Sequence, residues 1–313
     1  MLVSPLLLSA QLSGVMLLGS TSACSSVLAH LQPGKSLRGK VEMVYVPAGS
    51  FTMGGISWRY MYPADVSVKK ELASQGKTVV EDGSWVQIND KNGGYERFHN
   101  DEGPTRQVYL DAYWIGKDLV TVSQFSEFTK ASRYKFNWKK NQPEWGWIDN
   151  NPMVMVTWDD ARAYCKWAGG DLPTEAQFEK AARGTDGREY PWGNRWDRSL
   201  LWAGQKTTST VGSIPAGASP YGCRDMAGNA WEWCRDWYSS YDGQPQTNPM
   251  GAETGTEKVL RGGDFNLSAY TNFRSAYRHA ADPKAGACVY GFRLVSETSA
   301  YRRLVYTDDN YHE

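Results

Sequence analysis

A frame of arginine, glycine and aromatic residues near the C-terminus constrains the fold of this chain more than any other feature. It opens with Val259–Phe265 (VLRGGDF), continues with Arg274–Arg278 (RSAYR) and closes with Gly291–Val295 (GFRLV). Paired glycines permit tight turns, and large aromatic rings pin irregular loops to a core. The frame therefore predicts a rigid support around a loop-rich segment. We expect its first arginines to be structural and to bond loop carbonyl groups: Arg261, Arg274 and Arg278.

Composition excludes several classes of function. The 313-residue chain has 34 basic and 34 acidic residues, and this zero net charge gives no electrostatic reason to expect nucleic acid or an anionic membrane as a partner. Its 14 Trp, 18 Tyr and 31 Gly are typical of a loop-heavy fold pinned by large rings, and packing explains most of those rings without a sugar-binding role. Recognisable motifs run without a linker-like gap after residue 40, so we expect one large domain.

The N-terminal segment is predicted to direct the chain to the cell envelope. An apolar run over residues 6–18 ends in small residues and Cys24, which is typical of a secretory signal with a lipobox. We therefore predict a signal peptide over 1–24, lipidation and membrane attachment at Cys24, and a tether over 25–39. The usual positive n-region is absent, because the first basic residue is Lys35. A simple secretory signal or an uncleaved apolar segment is the alternative.

The remaining cysteines and the histidines give no pattern of a metal or redox site. Four cysteines remain after Cys24, an even number suited to an oxidising or surface compartment, but the sequence does not determine their pairing. The four histidines are scattered without metal-ligand spacing, and no P-loop, dinucleotide-binding glycine motif or Ser-His-Asp pattern is present.

Periodicity predicts a mixture of strands and short helices. Alternating apolar positions predict strands over 43–53 and 106–116. Helices are predicted where apolar residues recur at helical spacing: 123–132, 159–169 and a third helix that starts at Pro173-Thr174-Glu175. Residues 54–103 are charged and turn-rich, which indicates an insertion on the surface. This mixture predicts an α+β domain.

Several segments resemble, in the same order, the formylglycine-generating enzyme (sulfatase-modifying factor) family. Besides the C-terminal frame they are Met43–Gly54, Pro104–Thr121, Pro152–Gly184, Tyr190–Asn194 and Tyr221–Tyr238. The resemblance implies an elaborated, loop-rich C-type lectin fold of the α+β class. It places the boundaries as follows: a domain over 40–298, an insertion within it over 54–103, and a C-terminal tail over 299–313.

Catalytic members of this family oxidise a substrate cysteine to formylglycine with two cysteines and copper, and this chain is expected to lack that activity. Thiolates suit Cu(I), so the chemistry needs two cysteines within reach of one metal. Alignment on the arginines of the frame places those positions at Tyr270 and Ser275, and neither residue offers a thiolate. Cys288 has no cysteine near it in sequence. The resemblance therefore implies neither enzymatic activity nor a catalytic cofactor.

Another branch of the same fold is more similar to the frame: the variable proteins of diversity-generating retroelements, which include a treponemal lipoprotein. In these proteins a reverse transcriptase copies a template repeat into the gene and changes its adenines. The resemblance implies a variable region over 260–295 that binds a protein or carbohydrate ligand through exposed side chains. The positions expected to vary and to contact the ligand are Asp264, Asn266, Leu267, Ser268, Tyr270, Thr271, Asn272, Tyr277, His279, Ala280, Ala281, Ala285, Ala287, Val289 and Tyr290.

The composition of this region agrees with adenine-directed change. Changing both adenines of an AAC codon gives codons of the type NNC, which never encode Lys, Glu, Gln, Trp or Met. Between Asp264 and Tyr290, Lys284 is the only residue of those types. A ligand-binding loop surface of any origin also avoids Lys and Glu, so this observation supports diversification without establishing it.

A structural calcium site is a further expectation from the resemblance. The segment Asp225–Glu232 (DMAGNAWE) matches a calcium site of the family, in which Asp225 and Glu232 would supply side-chain oxygens and Gly228 and Ala230 backbone carbonyls. Calcium takes about six or more oxygen ligands, and two carboxylates, carbonyls and water can provide them. The alternative is a loop in which Glu232 caps backbone amides.

Together these features predict a lipid-anchored protein of the bacterial cell surface that binds ligands as a monomer and is not an enzyme. Two alternatives stay open. One is a structural lipoprotein of a secretion or motility complex, with its interface in the insertion. The other is an oxidase of the formylglycine-generating type.

Overall fold

The computed structural model describes most of the predicted domain. It covers residues 40–55 and 101–297 in full, residues 74 and 76, and the backbone of 34–35, 78–82, 85–89 and 95–100. The predicted signal peptide, the lipidation site Cys24, most of the tether and the C-terminal tail lie outside the described residues.

Short strands and three α-helices are joined by long connections in the described part of the chain. The strands are β1 (Gly34–Lys35), β2 (Glu42–Val46), β3 (Gly49–Met53), β4 (Thr78–Asp82), β5 (Trp85–Asn89), β6 (Tyr95–His99), β7 (Arg106–Leu110), β8 (Tyr113–Gly116), β9 (Trp231–Trp237), β10 (Gln246–Thr247), β11 (Lys258–Arg261), β12 (Arg278–Ala281), β13 (Tyr290–Gly291) and β14 (Val295–Glu297). The helices are α1 (Val122–Ser132), α2 (Trp158–Ala168) and α3 (Glu175–Arg183). This content confirms the α+β class.

Each of the two predicted strands is in fact two strands that turn from one sheet into another. The segment 43–53 divides at Pro47 into β2 and β3, and the segment 106–116 divides after Leu110 into β7 and β8. In one sheet the order is β1-β2-β8-β14, and in the other it is β10-β7-β3. The prediction of continuous strands was wrong because an alternating pattern continues through such a corner, whereas the ladder stops at Pro47, which has no N–H to donate.

The three helices are where the sequence placed them, and local signals explain their ends. Thr121, Thr157 and Thr174 each form a capping box, in which the threonine oxygen accepts from the backbone N–H three residues on. Gly169 ends α2 with φ 94°, a left-handed conformation that favours glycine. Helices α1 and α2 bury their apolar faces in one core cluster, and α3 packs against a second.

A four-stranded sheet in the order β12-β11-β9-β13 holds both ends of the C-terminal frame. In β11, Leu260 lies between Trp233 of β9 and His279 of β12. Strand β13 pairs in parallel with β9, which brings Tyr290 beside Trp231. All four residues of β11 are buried, so the predicted variable region begins on a fixed sheet and returns to it at β13, before it ends at Val295 on β14.

The predicted insertion over 54–103 forms its own antiparallel sheet, in the order β4-β5-β6. Its two ends meet, because the Gly55 N–H donates to the Glu102 carbonyl at 3.0 Å. Gly54, Gly55 and Glu102 are buried, and Glu102 is 0% exposed. The prediction of a surface insertion is therefore wrong for these ends, which are part of the core.

The cysteines and helices carry two further findings. Cys165, Cys223 and Cys234 are buried free thiols, Cys288 is a half-buried free thiol, and no disulfide joins described residues. Within the described ranges, no helix combines the length and apolar character needed to cross a bilayer.

Candidate ligand-binding surface

Arg261 fixes the backbone of the C-terminal loop through three carbonyl groups. This arginine is 0% exposed, and it donates to the carbonyls of Ser275, Ala276 and Tyr277 at 3.0, 2.7 and 2.5 Å. The Arg261 guanidinium also donates to Glu179 Oε2 at 2.5 Å. One buried side chain thereby sets the course of three successive loop residues.

Two more arginines of the frame are held in the same way. Arg274 donates to the Thr271 carbonyl at 3.1 Å and to both oxygens of Glu102 at 2.6 Å. Arg278 donates to the carbonyls of Asp101 and Ser239 at 2.8 and 3.0 Å and to both oxygens of Glu175 at 2.6 and 3.0 Å. The predicted bonds from these arginines to loop carbonyls are confirmed.

Sequence reasoning missed the carboxylates that neutralise the frame. Glu175 and Glu179 lie four positions apart on α3, so both face the same side of the helix and both meet Arg261. This spacing was a usable signal, whereas Glu102 had none because it lies far away in the sequence. Burial raises the pKa of Glu175, but the charges of Arg278 and Arg261 outweigh burial and hold that pKa below its ordinary value.

The frame leaves most of the predicted contact positions accessible. Exposed positions are Asn266, Ser268, Tyr270 and His279. Half-buried positions are Leu267, Asn272, Tyr277, Ala280, Ala285, Ala287, Val289 and Tyr290. Among them, Tyr277, His279 and Tyr290 are brought together around two tryptophans of β9.

Three predicted contact residues are corrected. Asp264, Thr271 and Ala281 are 4, 5 and 7% exposed, so they offer almost no surface to a ligand. Asp264 Oδ1 accepts from the Asn266 N–H at 2.6 Å, and the carboxylate also bonds the Trp231 side chain. Its role is to shape the loop. The error arose because composition identifies a loop segment but does not tell which side chains turn inward.

Aromatic residues of the loop cover two tryptophans of the scaffold. Tyr277 stacks on Trp231 with ring centroids 6.0 Å apart, and His279 lies 5.0 Å from the same ring. Tyr290 meets Trp233 edge-on at 5.2 Å. Half-buried rings of this kind supply contact area without many rotatable bonds, so they suit a binding surface.

A second aromatic group continues this surface toward the insertion. Tyr270 is 37% exposed, and its ring lies 6.2 Å from that of Trp196, which in turn stacks on the buried Phe273 at 5.9 Å. The backbone of β6 lies against the turn Tyr270–Phe273. The insertion is therefore adjacent to the predicted contact positions.

An open groove of about 700 Å³ is lined in part by predicted contact positions. Its floor and walls are mainly apolar, while charged and amide side chains stand at its rim. The lining residues are Gln142, Pro143, Glu144, Trp145, Met155, Lys206, Phe265, Asn266, Gly286, Ala287, Cys288 and Val289. Trp145 and Met155 were not anticipated, because they lie far outside the C-terminal frame.

The two positions matched to the family's cysteines differ in their exposure to solvent. Tyr270 reaches the surface, whereas Ser275 is 4% exposed and its Oγ has no hydrogen-bond partner among the described residues. Cys288 lies in the groove, and burial raises its pKa, so its thiol is less readily ionised than a free cysteine. In the described part of the chain, no group of three or more His, Cys, Asp or Glu is placed to hold a metal.

The predicted calcium ligands do not fit a cation site as they are arranged. Both oxygens of Glu232 accept from Arg293 at 2.6 Å, so a guanidinium already balances this buried carboxylate. Asp225 Oδ2 accepts from the Gly212 N–H at 2.8 Å and from Asn229 at 3.0 Å. The Gly228 carbonyl accepts from the Ala230 N–H at 2.9 Å. Calcium would need oxygens that these bonds already engage.

Comparison with known proteins places the chain among relatives of mixed activity. The family model of the sulfatase-modifying factor enzyme 1-like domain matches residues 31–298. The formylglycine-generating enzyme of Mus musculus is 30% identical over 292 residues, which cover 82% of this chain and 75% of that protein. A Bos taurus protein named inactive C-alpha-formylglycine-generating enzyme 2 is 29% identical over 254 residues, which cover 62% of this chain and 80% of that one. Relatives therefore include active enzymes and an inactive protein.

Solved structures confirm the predicted fold. PvdO from Pseudomonas aeruginosa aligns with a TM-score of 0.64 and 24% identity, covering 85% of this chain and 99% of that chain. Treponema denticola variable protein 1 aligns with a TM-score of 0.51 and 21% identity, covering 71% of this chain and 99% of that one. The fold is thus the C-type lectin fold of the formylglycine-generating type.

Proposed function

Since the chain belongs to the sulfatase-modifying factor enzyme 1-like family, we propose that it uses this fold to bind a ligand at its C-terminal surface and that it does not form formylglycine. The surface comprises the accessible positions from Asn266 to Tyr290 together with the groove. The variety of ligands would come from retroelement-directed change of these positions, as in the variable proteins that share the fold.

One observation carries this proposal: the C-terminal region separates support from contact. Its arginines are buried and bonded to glutamates and to loop carbonyls, whereas Asn266, Ser268 and His279 in the same region are exposed. Exposed positions can change with little effect on stability, because surface substitutions typically alter it by about 0.5 kcal/mol or less. A surface of this kind can change its ligand and keep its fold.

The absence of a thiol pair supports the second half of the proposal. Cys288 is the only cysteine between Trp237 and the end of the chain. Cys165, Cys223 and Cys234 are each 0% exposed, so they offer no thiolate to a substrate at the surface. Copper chemistry of the family type needs two such ligands at one metal.

The test exposes the full chain, carrying Cys24→Ser to keep it unlipidated, to a phage library of random linear peptides and to a printed glycan array. The expected result is binding of at least one class of probe that Asn266→Arg abolishes. Thr52→Arg is the matched control, because Thr52 is also exposed but lies on β3, in a different sheet from β11, β12 and β13. Loss of binding in both variants, or no binding by the unchanged protein, would contradict the proposal.

A parallel assay addresses the alternative oxidase. The protein is incubated with Cu(I), oxygen and a cysteine-containing sulfatase peptide, and the peptide mass is followed. We expect no conversion of the cysteine, in contrast to an active formylglycine-generating enzyme treated in the same way. Conversion by this chain would overturn the non-catalytic part of the proposal.

A further inference from the structure

The groove is built from two kinds of residue. Asn266, Ala287 and Val289 line it and belong to the positions expected to vary. Trp145 and Met155 also line it, and they lie outside 260–295. If the variable region changes between copies of this protein, Trp145 and Met155 remain the same in all of them.

The two constant residues are held in place by packing and by the backbone. The ring of Trp145 meets the buried ring of Phe265 edge-on, with centroids 5.3 Å apart. The Met155 N–H donates to the Ala287 carbonyl at 2.9 Å, which joins a constant residue directly to a variable one. A Cβ at Gly286 would lie 2.9 Å from the Met155 carbonyl oxygen, so glycine permits this close approach.

Met155 adopts a backbone conformation that is uncommon for its type. Its φ is 60°, in the left-handed region, where a residue with a Cβ is strained. Such strain persists only where the surroundings impose it, and it is concentrated at binding and active sites. Here it presents a flexible, polarisable side chain to the groove, and methionine adapts well to ligands of different shape.

Charges stand at the rim of this apolar floor. Glu144 and Lys206 are exposed, and neither forms an ion pair with another described residue. An apolar centre inside a polar rim is the arrangement by which protein interfaces exclude water from an anchoring side chain. A sugar would instead require several polar groups converging on the floor, where this groove has apolar ones.

We propose, on the basis of the proposed function, that the groove takes an aromatic or long aliphatic side chain of a protein ligand. Trp145 and Met155 select this anchor in every variant of the C-terminal region. Glu144 and Lys206 pair with a basic and an acidic residue that flank the anchor, and the variable positions determine the remaining sequence preference. Specificity is thus divided between a constant anchor site and a variable margin.

The test uses the full Cys24→Ser chain and the same phage library of random linear peptides. We expect enriched peptides to share one aromatic or long aliphatic residue with charged neighbours. A synthetic peptide of the enriched sequence should bind Trp145→Ala about tenfold or more weakly, because an apolar side chain loses its buried contact. Selection on Asn266→Ser should change the neighbouring residues and retain the apolar one.

Cys288 gives a second measurement that does not depend on the stability of the Trp145 variant. It lines the groove, whereas Cys165, Cys223 and Cys234 are each 0% exposed, so an alkylating reagent applied to the native protein reaches Cys288 first. The enriched peptide should protect Cys288 from alkylation, and a scrambled peptide should not.

The outcomes separate this inference from the proposed function. Enriched peptides without a common apolar residue, peptides that leave Cys288 reactive, or binding of glycans alone would overturn the anchor and leave ligand binding intact. Failure of the unchanged protein to bind any peptide or glycan would overturn both.

Discussion

Glu102 and Arg274 form a bidentate ion pair with both N–O distances at 2.6 Å, although 172 positions separate them in the chain. Both side chains are 5% exposed or less. The pair joins the last residues of the insertion to the turn that carries Tyr270. The C-terminal loop is therefore held by a residue near the start of the domain, far from the loop in the sequence.

Glu102→Ala should destabilise the protein strongly. It leaves the Arg274 guanidinium buried without its partner, and loss of one member of a buried pair typically costs about 3–5 kcal/mol. Urea unfolding followed by tryptophan fluorescence measures the effect. Glu42→Ala is the control, because the Glu42–Lys117 pair is 40% and 29% exposed, and such pairs contribute about 1 kcal/mol or less. Equal effects of the two substitutions would contradict this account.

Replacing residues 56–100 by a short Gly-Ser linker should leave a folded domain. The Gly55 N–H and the Glu102 carbonyl are already 3.0 Å apart, and closing a loop depends only weakly on its length. We expect the free energy of unfolding to change by about 1 kcal/mol or less. A deletion extended through Glu102 is the matched control and should be far less stable. If the shorter deletion also unfolds the domain, the insertion is a required part of the core.

The effect of a substitution in the C-terminal region on stability should depend on whether the residue is buried. Asn266→Ser and His279→Asn, at exposed positions, should change the unfolding free energy by about 0.5 kcal/mol or less. Asp264→Ala removes the acceptor of the Asn266 N–H and should cost about 1–3 kcal/mol. Thermal unfolding of the three variants decides the matter. A tolerated Asp264→Ala would return this position to the set of variable contacts.

The buried carboxyl of Asp236 should make stability fall as the pH rises. Burial, assisted by the negative charge of Glu175, raises the pKa of Asp236 to about 7 from 3.8. Below pH 3.8 the Asp236 carboxyl is protonated in both the folded and the unfolded state, so the free energy of unfolding does not depend on pH through this group. As the pH rises from 3.8 toward 7, the unfolded state ionises while the folded state stays protonated, so the free energy of unfolding falls. The loss can reach about 4 kcal/mol, at 1.36 kcal/mol for each pKa unit.

Asp236→Asn tests this pH dependence. An amide oxygen can replace Asp236 Oδ2 as the acceptor of the Glu175 N–H, a bond of 3.0 Å. The variant should gain stability relative to the unchanged protein between pH 4 and pH 7, as measured by urea unfolding at several pH values. Parallel pH profiles for the two proteins would show that Asp236 is ionised at no cost in the folded state.

Calcium should not stabilise this protein. Both oxygens of Glu232 accept from Arg293 and Asp225 already accepts two hydrogen bonds, so a cation would have to displace these contacts. We expect the same melting temperature in EDTA, in magnesium and in millimolar calcium. A rise with calcium alone, lost in Asp225→Asn, would restore the predicted site.

The parts of the fold that the sequence predicted are those encoded locally. The three helices follow from threonine caps and from apolar residues at helical spacing, and both signals lie within a few residues of the element. The corners at Pro47 and after Leu110 were missed, because a change of sheet leaves the alternating pattern intact. At each corner the strand stops hydrogen bonding to its neighbour in the first sheet, and an alternation of apolar and polar residues does not record that change.

In the candidate surface, too, the sequence predicted what is encoded locally and missed what depends on tertiary packing. The structural role of Arg261 could be predicted from its place in the frame, but its partner Glu179 comes from another element. Trp145 and Met155 reach the groove through tertiary packing alone, so no local spacing marks them. The inward turn of Asp264 likewise depends on Trp231 and is visible only in three dimensions.

Under the proposed retroelement-directed change, the buried arginines would constrain the gene as well as the protein. Arg261, Arg274, Arg278 and Arg293 each hold a glutamate in the core, so replacing any of them should destabilise the fold. A copying process that alters adenines would endanger any arginine encoded by AGA or AGG. These arginines should therefore be written in the adenine-free CGC, CGG or CGT, and contact positions such as Asn266 and Tyr277 in codons that descend from AAC. Such a reading frame would keep the core safe from the process that varies the surface.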